Sequence, residues 1–205
     1  MFSVLYLIIA ATVLISAAAF QNQEFLSKSL FYPYRVKHNN ELYRMVSHMF
    51  IHADWSHLIF NMFSLYFLGQ ILVFSFYNAF GEVGGMIHFS ILYFIGGIFA
   101  SLFPYMRNHD NPNYTSLGAS GAVSAIVFAA ILWNPTMKLG LLFLPIPIPA
   151  YIFGPLYLAF EYFALRKGQG NIAHDAHIGG ALFGILYVIL IEPSKAQEFI
   201  HLIFN

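Results

Sequence analysis

The chain has 205 residues, of which 59% are hydrophobic, 19% aromatic and only 9% charged; nine Lys and Arg balance nine Asp and Glu, and the mean hydropathy is +0.68. A soluble domain carries about 25% charged residues, so this composition excludes an ordinary soluble globule and a disordered chain, and the lack of any basic excess excludes a nucleic-acid binder. The chain has no cysteine, which excludes disulfides, thiolate metal ligands and cysteine nucleophiles.

A helix needs about 20 mostly apolar residues to cross the hydrocarbon core of a bilayer. Six segments qualify, in a single domain over residues 1–205 without repeat or linker. The first runs from about Phe2 to Phe20 and is uncharged. Ala17-Ala18-Ala19 resembles a signal-peptide cleavage site, but no Lys or Arg precedes the apolar stretch as a signal peptide requires. A polar segment of about residues 21–55 follows, with Lys28, Arg35, Lys37, Glu41 and Arg44 among several aromatics, and reads as a structured first loop. The second and third spans run from about Ser56 to Tyr77 and from about Gly85 to Pro104. The fourth extends from about Leu117 to Trp133, stopped by Asn134-Pro135. The fifth follows the proline run Pro145–Pro149 and ends near Leu165. The sixth runs from about Asp175 to Ile191 and stops at Glu192-Pro193. Prolines at these edges fit, because proline suits helix entries and loops better than interiors. The expected class is all-α: a polytopic membrane protein in the lipid bilayer.

Lys and Arg are distributed unevenly. Lys28, Arg35, Lys37, Arg44, Arg107, Arg166 and Lys167 lie on the side of the first loop, and Lys138 and Lys195 on the other. By the positive-inside rule the first loop is cytoplasmic.

Ionisable and polar groups inside spans are costly and read as functional by default. His57 and Asn61 open the second span, four residues apart and so on one helix face. Ser120 opens the fourth, in Gly118-Ala119-Ser120-Gly121. His177 opens the sixth. Even-numbered spans all run in the same direction, so their N-terminal ends share one face, and a serine, two histidines and an asparagine converge at similar depth. A serine hydroxyl needs an adjacent base to act as a nucleophile. An imidazole can take that proton and return it to a leaving amine. The oxyanion needs donors, which the Asn61 amide, the His57 N–H and backbone N–H groups at a helix start can supply. Each element also has a plainer reading: Gly118–Ala122 as a small-residue packing stripe, His57 and Asn61 as interhelical hydrogen-bonding groups, His177 as an interfacial histidine.

The ordered set resembles the rhomboid family of intramembrane serine proteases from about Tyr43 to Gly184. Tyr43-Arg44 resembles the aromatic-Arg signature of the family's first loop. His48, His52, His57 and Asn61 match its spaced histidines and its His-x-x-x-Asn. Gly118–Gly121 matches the Gly-x-Ser-Gly nucleophile motif, and Ala176-His177 with Gly180 and Gly184 matches the sixth-span base and packing motif. The resemblance implies a serine endopeptidase with a Ser–His dyad and no third acid, Ser120 as nucleophile, His177 as base and acid, and His57, Asn61 and the Ser120 backbone N–H at the oxyanion. It implies no cofactor and no metal. The implied substrates are transmembrane helices with a small residue near the cut, and the implied location, in a bacterium, is the inner membrane. It also places the first loop and the site on the outer face, against the Lys/Arg count. Two positions depart from the family pattern: Ser124 stands where some members have a tyrosine that stacks on the base, and Gly69–Val73 lacks an acidic residue often found late in the second span.

Other residues read as structural. Asp175 suits an N-cap of the sixth span and, at i and i+2, does not share a helix face with His177. His48 and His52 are one turn apart but have no carboxylate at ligand spacing. Glu161 reads as snorkelling to the interface or lining a gate. Gly180 and Gly184 predict close contact between the fourth and sixth spans. Two other functions remain: a non-catalytic rhomboid-like protein that binds membrane helices, and a small transporter, for which the sequence shows no inverted repeat.

Overall fold

The computed structural model describes residues 4–141, 144–167 and 173–204. Helix α1 (Val4–Gln21) turns Leu5, Ile8, Thr12, Ser16 and Ala19 inward, a stripe with the three-and-four spacing of one helix face. The first loop folds as α2 (Gln23–Ser29), capped by the Asn22 side chain accepting the N–H of Phe25, α3 (Pro33–His38) with proline in its first turn, and α4 (Arg44–Ser47), followed by a 3-10 turn over His48–Phe50. Arg44 is 1% exposed. Its guanidinium pairs with Glu41 and donates to the carbonyls of Ser27 (3.1 Å) and Leu30 (2.8 Å), so a single buried cation fastens three segments of the loop.

The second and third spans expected from the sequence are the two helical limbs of α5 (Trp55–Asn108), which meet at a non-helical Gly81. Gly81 has φ +73, a conformation that glycine alone adopts without strain. The two limbs run back along one another. A Cβ added at Gly69 on the first would stand 3.5 Å from Phe89 on the second, and the rings of Phe80 and His88 lie 4.3 Å apart. The second limb does not stop at Pro104 as expected but continues for another turn to Asn108.

Helix α6 (Ser120–Trp133) is the core: every residue from Gly121 to Trp133 except Val127 is buried. It starts three residues later than expected, because the preceding segment is extended. Phe31 and Ser116 exchange backbone hydrogen bonds at 2.9 and 3.0 Å, and Gly118 has φ +116. The Pro145–Pro149 run is a strand. Residues Lys138–Leu141 (β1) pair antiparallel with Leu144–Pro149 (β2), Leu139 opposite Ile148 and Lys138 opposite Pro149. The register shifts between Leu139 and Leu141, and a two-stranded ribbon with one open side and a bulge tolerates prolines that a central strand would not.

Helix α7 (Ala150–Lys167) buries only Ala150, Gly154 and Glu161. Helix α8 (His174–Ile191) packs on α6 through glycine: a Cβ at Gly180 would collide with the carbonyl oxygen of Gly121, and one at Gly184 with that of Ala125. Close backbone approach of this kind is how membrane helices associate without a hydrophobic driving force between them. Helix α9 (Pro193–Phe204), which the sequence reading did not include, buries no residue. By length and composition α1, α5 and α8 can cross a membrane, and α6 is a shorter apolar helix.

Candidate active site

Three helix N-termini meet at one end of the bundle: those of α5, α6 and α8. Asp54 caps α5 by accepting the His57 N–H at 2.8 Å. Ser120 is the first residue of α6, whose N-cap, Ala119, provides no side-chain cap. Its backbone N–H therefore has no carbonyl of its own helix to bond. His177 lies in the first turn of α8. The tight α6–α8 contact at Gly180 brings the two side chains together: His177 Nε2 is 2.8 Å from Ser120 Oγ.

The segment carrying Ser120 is held residue by residue from the first loop. Ser116 pairs with Phe31, the Gly118 N–H is donated to the His48 carbonyl at 3.0 Å, and the Ala119 N–H to His52 Nε2 at 3.3 Å. His52 Nδ1 lies 2.9 Å from Ser16 Oγ, which donates to the Phe50 carbonyl at 2.9 Å. That chain fixes the tautomer. Nε2 accepts, so Nδ1 carries the proton and gives it to Ser16. Burial pushes His52 down to about 3 and His48 to about 4, so both are neutral. His48 Nε2 lies 3.0 Å from Ser101 Oγ. Neither of these histidines faces Ser120. They support its backbone.

His57 packs against Gly118, where a Cβ would stand 2.7 Å from its Cε1. Only glycine fits there, by space and by φ. Asn61 is 7% exposed and donates one amide N–H to the His57 carbonyl at 2.9 Å. His57 thus flanks the turn before Ser120, and Asn61 is tied to His57 within its own helix.

Two expectations are corrected. Asp175 is not the N-cap of α8: Ala173 is, and Asp175 lies inside the helix, 3.6 Å from Arg107. Glu161 does not snorkel. It is 2% exposed, with Oε1 3.0 Å from His177 Nδ1 and Oε2 2.6 Å from His174 Nδ1. A buried carboxylate is tolerable only with its lone pairs occupied, and both oxygens are occupied here. Sequence reasoning missed it because an acidic residue near a helix end ordinarily reaches water. A signal was present: Glu161 continues the inward stripe of Ala150 and Gly154 at helical spacing. His174 was missed too, although three residues from His177 is the same helix face. Glu161, His174 and His177 each offer a ligand atom within 4.8 Å of one another, a donor set of two imidazoles and a carboxylate that suits a transition-metal ion.

A family model described as Rhomboid domain matches residues 39–194. The chain is 31% identical over 170 residues to RHOMBOID-like protein 12, mitochondrial, of Arabidopsis thaliana, covering 78% of this chain and 49% of that protein. It is 30% identical over 146 residues to the human presenilin-associated rhomboid-like protein, mitochondrial, covering 70% and 36%. It is 30% identical over 167 residues to RHOMBOID-like protein 1 of Arabidopsis thaliana, covering 78% and 37%. The chain thus spans half or less of the length of these relatives.

Proposed function

The chain belongs to the rhomboid family, and on that premise we propose that it is an intramembrane serine endopeptidase cleaving transmembrane helices of membrane proteins. The observation that supports this reading is the 2.8 Å contact between Ser120 Oγ and His177 Nε2. Ser120 attacks the scissile carbonyl as His177 Nε2 takes its proton. The oxyanion that forms is met by the free N–H of Ser120 at the α6 start, with the Asn61 amide and His57 beside it. His177 then returns its proton to the leaving amine, and the acyl-enzyme on Ser120 is hydrolysed by water activated at the same imidazole.

The chain works as one domain crossing the bilayer six times. Helix α5 has 54 residues, about 80 Å at helical rise. That exceeds twice the roughly 30 Å hydrocarbon core, and its limbs fold back at Gly81, so it accounts for two passes. The first loop and the site lie on the outer face of that membrane. Substrates are helices with a small residue near the cut and weak helical propensity there, so that a strand-like segment reaches Ser120.

The test is cleavage of a tagged transmembrane segment co-reconstituted in liposomes. Wild type is expected to cleave it, and Ser120→Ala and His177→Ala to be inactive with unchanged melting temperature. Full cleavage by Ser120→Ala overturns the reading. A folded wild type that binds the segment without cutting it supports instead a helix-binding relative.

A further inference from the structure

We propose that Glu161 is a positioning residue for His177, and that His174 shares its carboxylate, so that the working unit is Ser120–His177–Glu161–His174. This rests on the protease reading above and replaces the two-residue unit that the family resemblance implies.

The geometry sets the proton positions. An ionised carboxylate only accepts. With Glu161 Oε1 3.0 Å from His177 Nδ1, the His177 proton sits on Nδ1. Nε2 is left with its lone pair 2.8 Å from Ser120 Oγ, the tautomer a general base requires. When His177 takes the serine proton, the imidazolium forms beside a fixed negative charge that is itself buried, where water screens it less than at an open surface. His174 occupies the second oxygen at 2.6 Å, which satisfies the buried carboxylate and fixes its plane. Glu161 reaches the site from α7, a different helix from those of Ser120 and His177.

A carboxylate and an amide differ here in a specific way. Glu161 can accept from both Nδ1–H groups. Glutamine has one acceptor oxygen, so in Glu161→Gln the two imidazoles compete for it. The imidazole facing the amide NH2 must accept through Nδ1, which moves its own proton to Nε2. For His177 that is the wrong tautomer, with N–H aimed at Ser120. Removing His174 takes away the competing imidazole and returns the amide oxygen to His177; the Tyr157 hydroxyl, which also bonds this carboxylate, has Ser124 as a second partner. A merely structural tie between α7 and α8 makes the opposite prediction: losing both partners is worse than losing one.

The experiment is the labelling rate of Ser120 by a fluorophosphonate probe in detergent, with melting temperatures alongside. Wild type, Ser120→Ala, Glu161→Gln, Glu161→Asp, His174→Ala and Glu161→Gln/His174→Ala are compared. Glu161→Gln is expected to lose on the order of 100-fold or more, and the double variant to label at least about tenfold faster than Glu161→Gln alone. Glu161→Asp keeps both oxygens and is expected to stay within roughly tenfold of wild type, still above Glu161→Gln. A wild-type rate in Glu161→Gln, or a double variant no faster than Glu161→Gln, overturns the proposal. If Glu161→Gln does not fold, Glu161→Asp/His174→Ala decides: labelling retained there supports the role, because one carboxylate still reaches His177, and labelling lost with the fold intact overturns it. An unlabelled wild type overturns the protease reading itself, which a wild-type rate in Glu161→Gln does not.

Discussion

Ser16, on the first helix, and His52, at the end of the first loop, lie 2.9 Å apart, and through His52 the first helix reaches the backbone N–H of Ala119, next to Ser120. Ser16 precedes the residues that match the family model, which begin at position 39. Ser16→Ala should leave the buried Nδ1–H of His52 without an acceptor, at about 1–3 kcal/mol of stability. The expected readout is a lower melting temperature and a several-fold lower cleavage rate with unchanged KM; a rate that stays at wild type would show that this chain does not steady the nucleophile turn.

Two neutral, buried histidines make stability depend on pH. An unfolded imidazole titrates near 6.5, whereas burial holds His48 at about 4 and His52 at about 3 in the fold. Folded values below the unfolded one mean that the unfolded chain takes up protons first. Stability is therefore complete above about pH 6.5 and is lost as pH falls toward those folded values, by up to about 1.4 kcal/mol per pH unit for each imidazole. Melting temperature in detergent between pH 8 and pH 4.5 checks this. His52→Phe should flatten the slope by about half.

Gly180 and Gly184 decide how closely α8 approaches α6. Replacing Gly180 by valine drives a side chain into the Gly121 carbonyl oxygen, and Gly184→Val does the same at Ala125. Backbone cannot yield as a flexible side chain can, so the helices separate and the Ser120–His177 contact opens. A misplacement of about 1 Å at a reacting pair costs on the order of 100-fold. Gly140→Ala is the control, since a Cβ there meets nothing within 4 Å. Activity preserved in Gly180→Val would refute the link between helix spacing and the reacting pair.

Arg44 should not be replaceable by lysine. Its planar guanidinium serves Glu41 and two carbonyls at once, which a single ammonium does poorly. Arg44→Ala takes the donor from the Ser27 and Leu30 carbonyls, while Glu41 keeps Arg35, and is expected to cost about 1–3 kcal/mol. Arg44→Lys should recover only part. Limited proteolysis of the first loop, read with the melting temperature, measures both.

The composition, the apolar segments and the position of His57, Ser120 and His177 in the first turns of their helices were legible from residue types and spacing. They follow from local rules: the length a bilayer demands, the direction of alternate spans, the donors exposed at a helix start. The break between the second and third spans was legible too, because Gly81, Glu82, Gly84 and Gly85 interrupt the apolar run; that both limbs stay helical right up to Gly81 was not, because local rules give no reason for helix to continue through Asn78 and Glu82. The proline strand was hidden because proline usually marks a loop, and only a two-stranded ribbon with one open side makes it tolerable within a strand.

The sequence by itself determined that this chain is a membrane protein with a serine and a histidine at the same end of two parallel helices, because helix direction and hydropathy are properties of the chain alone. Only the tertiary structure decided what stands behind His177. A carboxylate is stable in a dry interior when donors from another segment occupy its oxygens, and the contacts of Glu161 with His174 and His177 exist only once α7 has docked on α8.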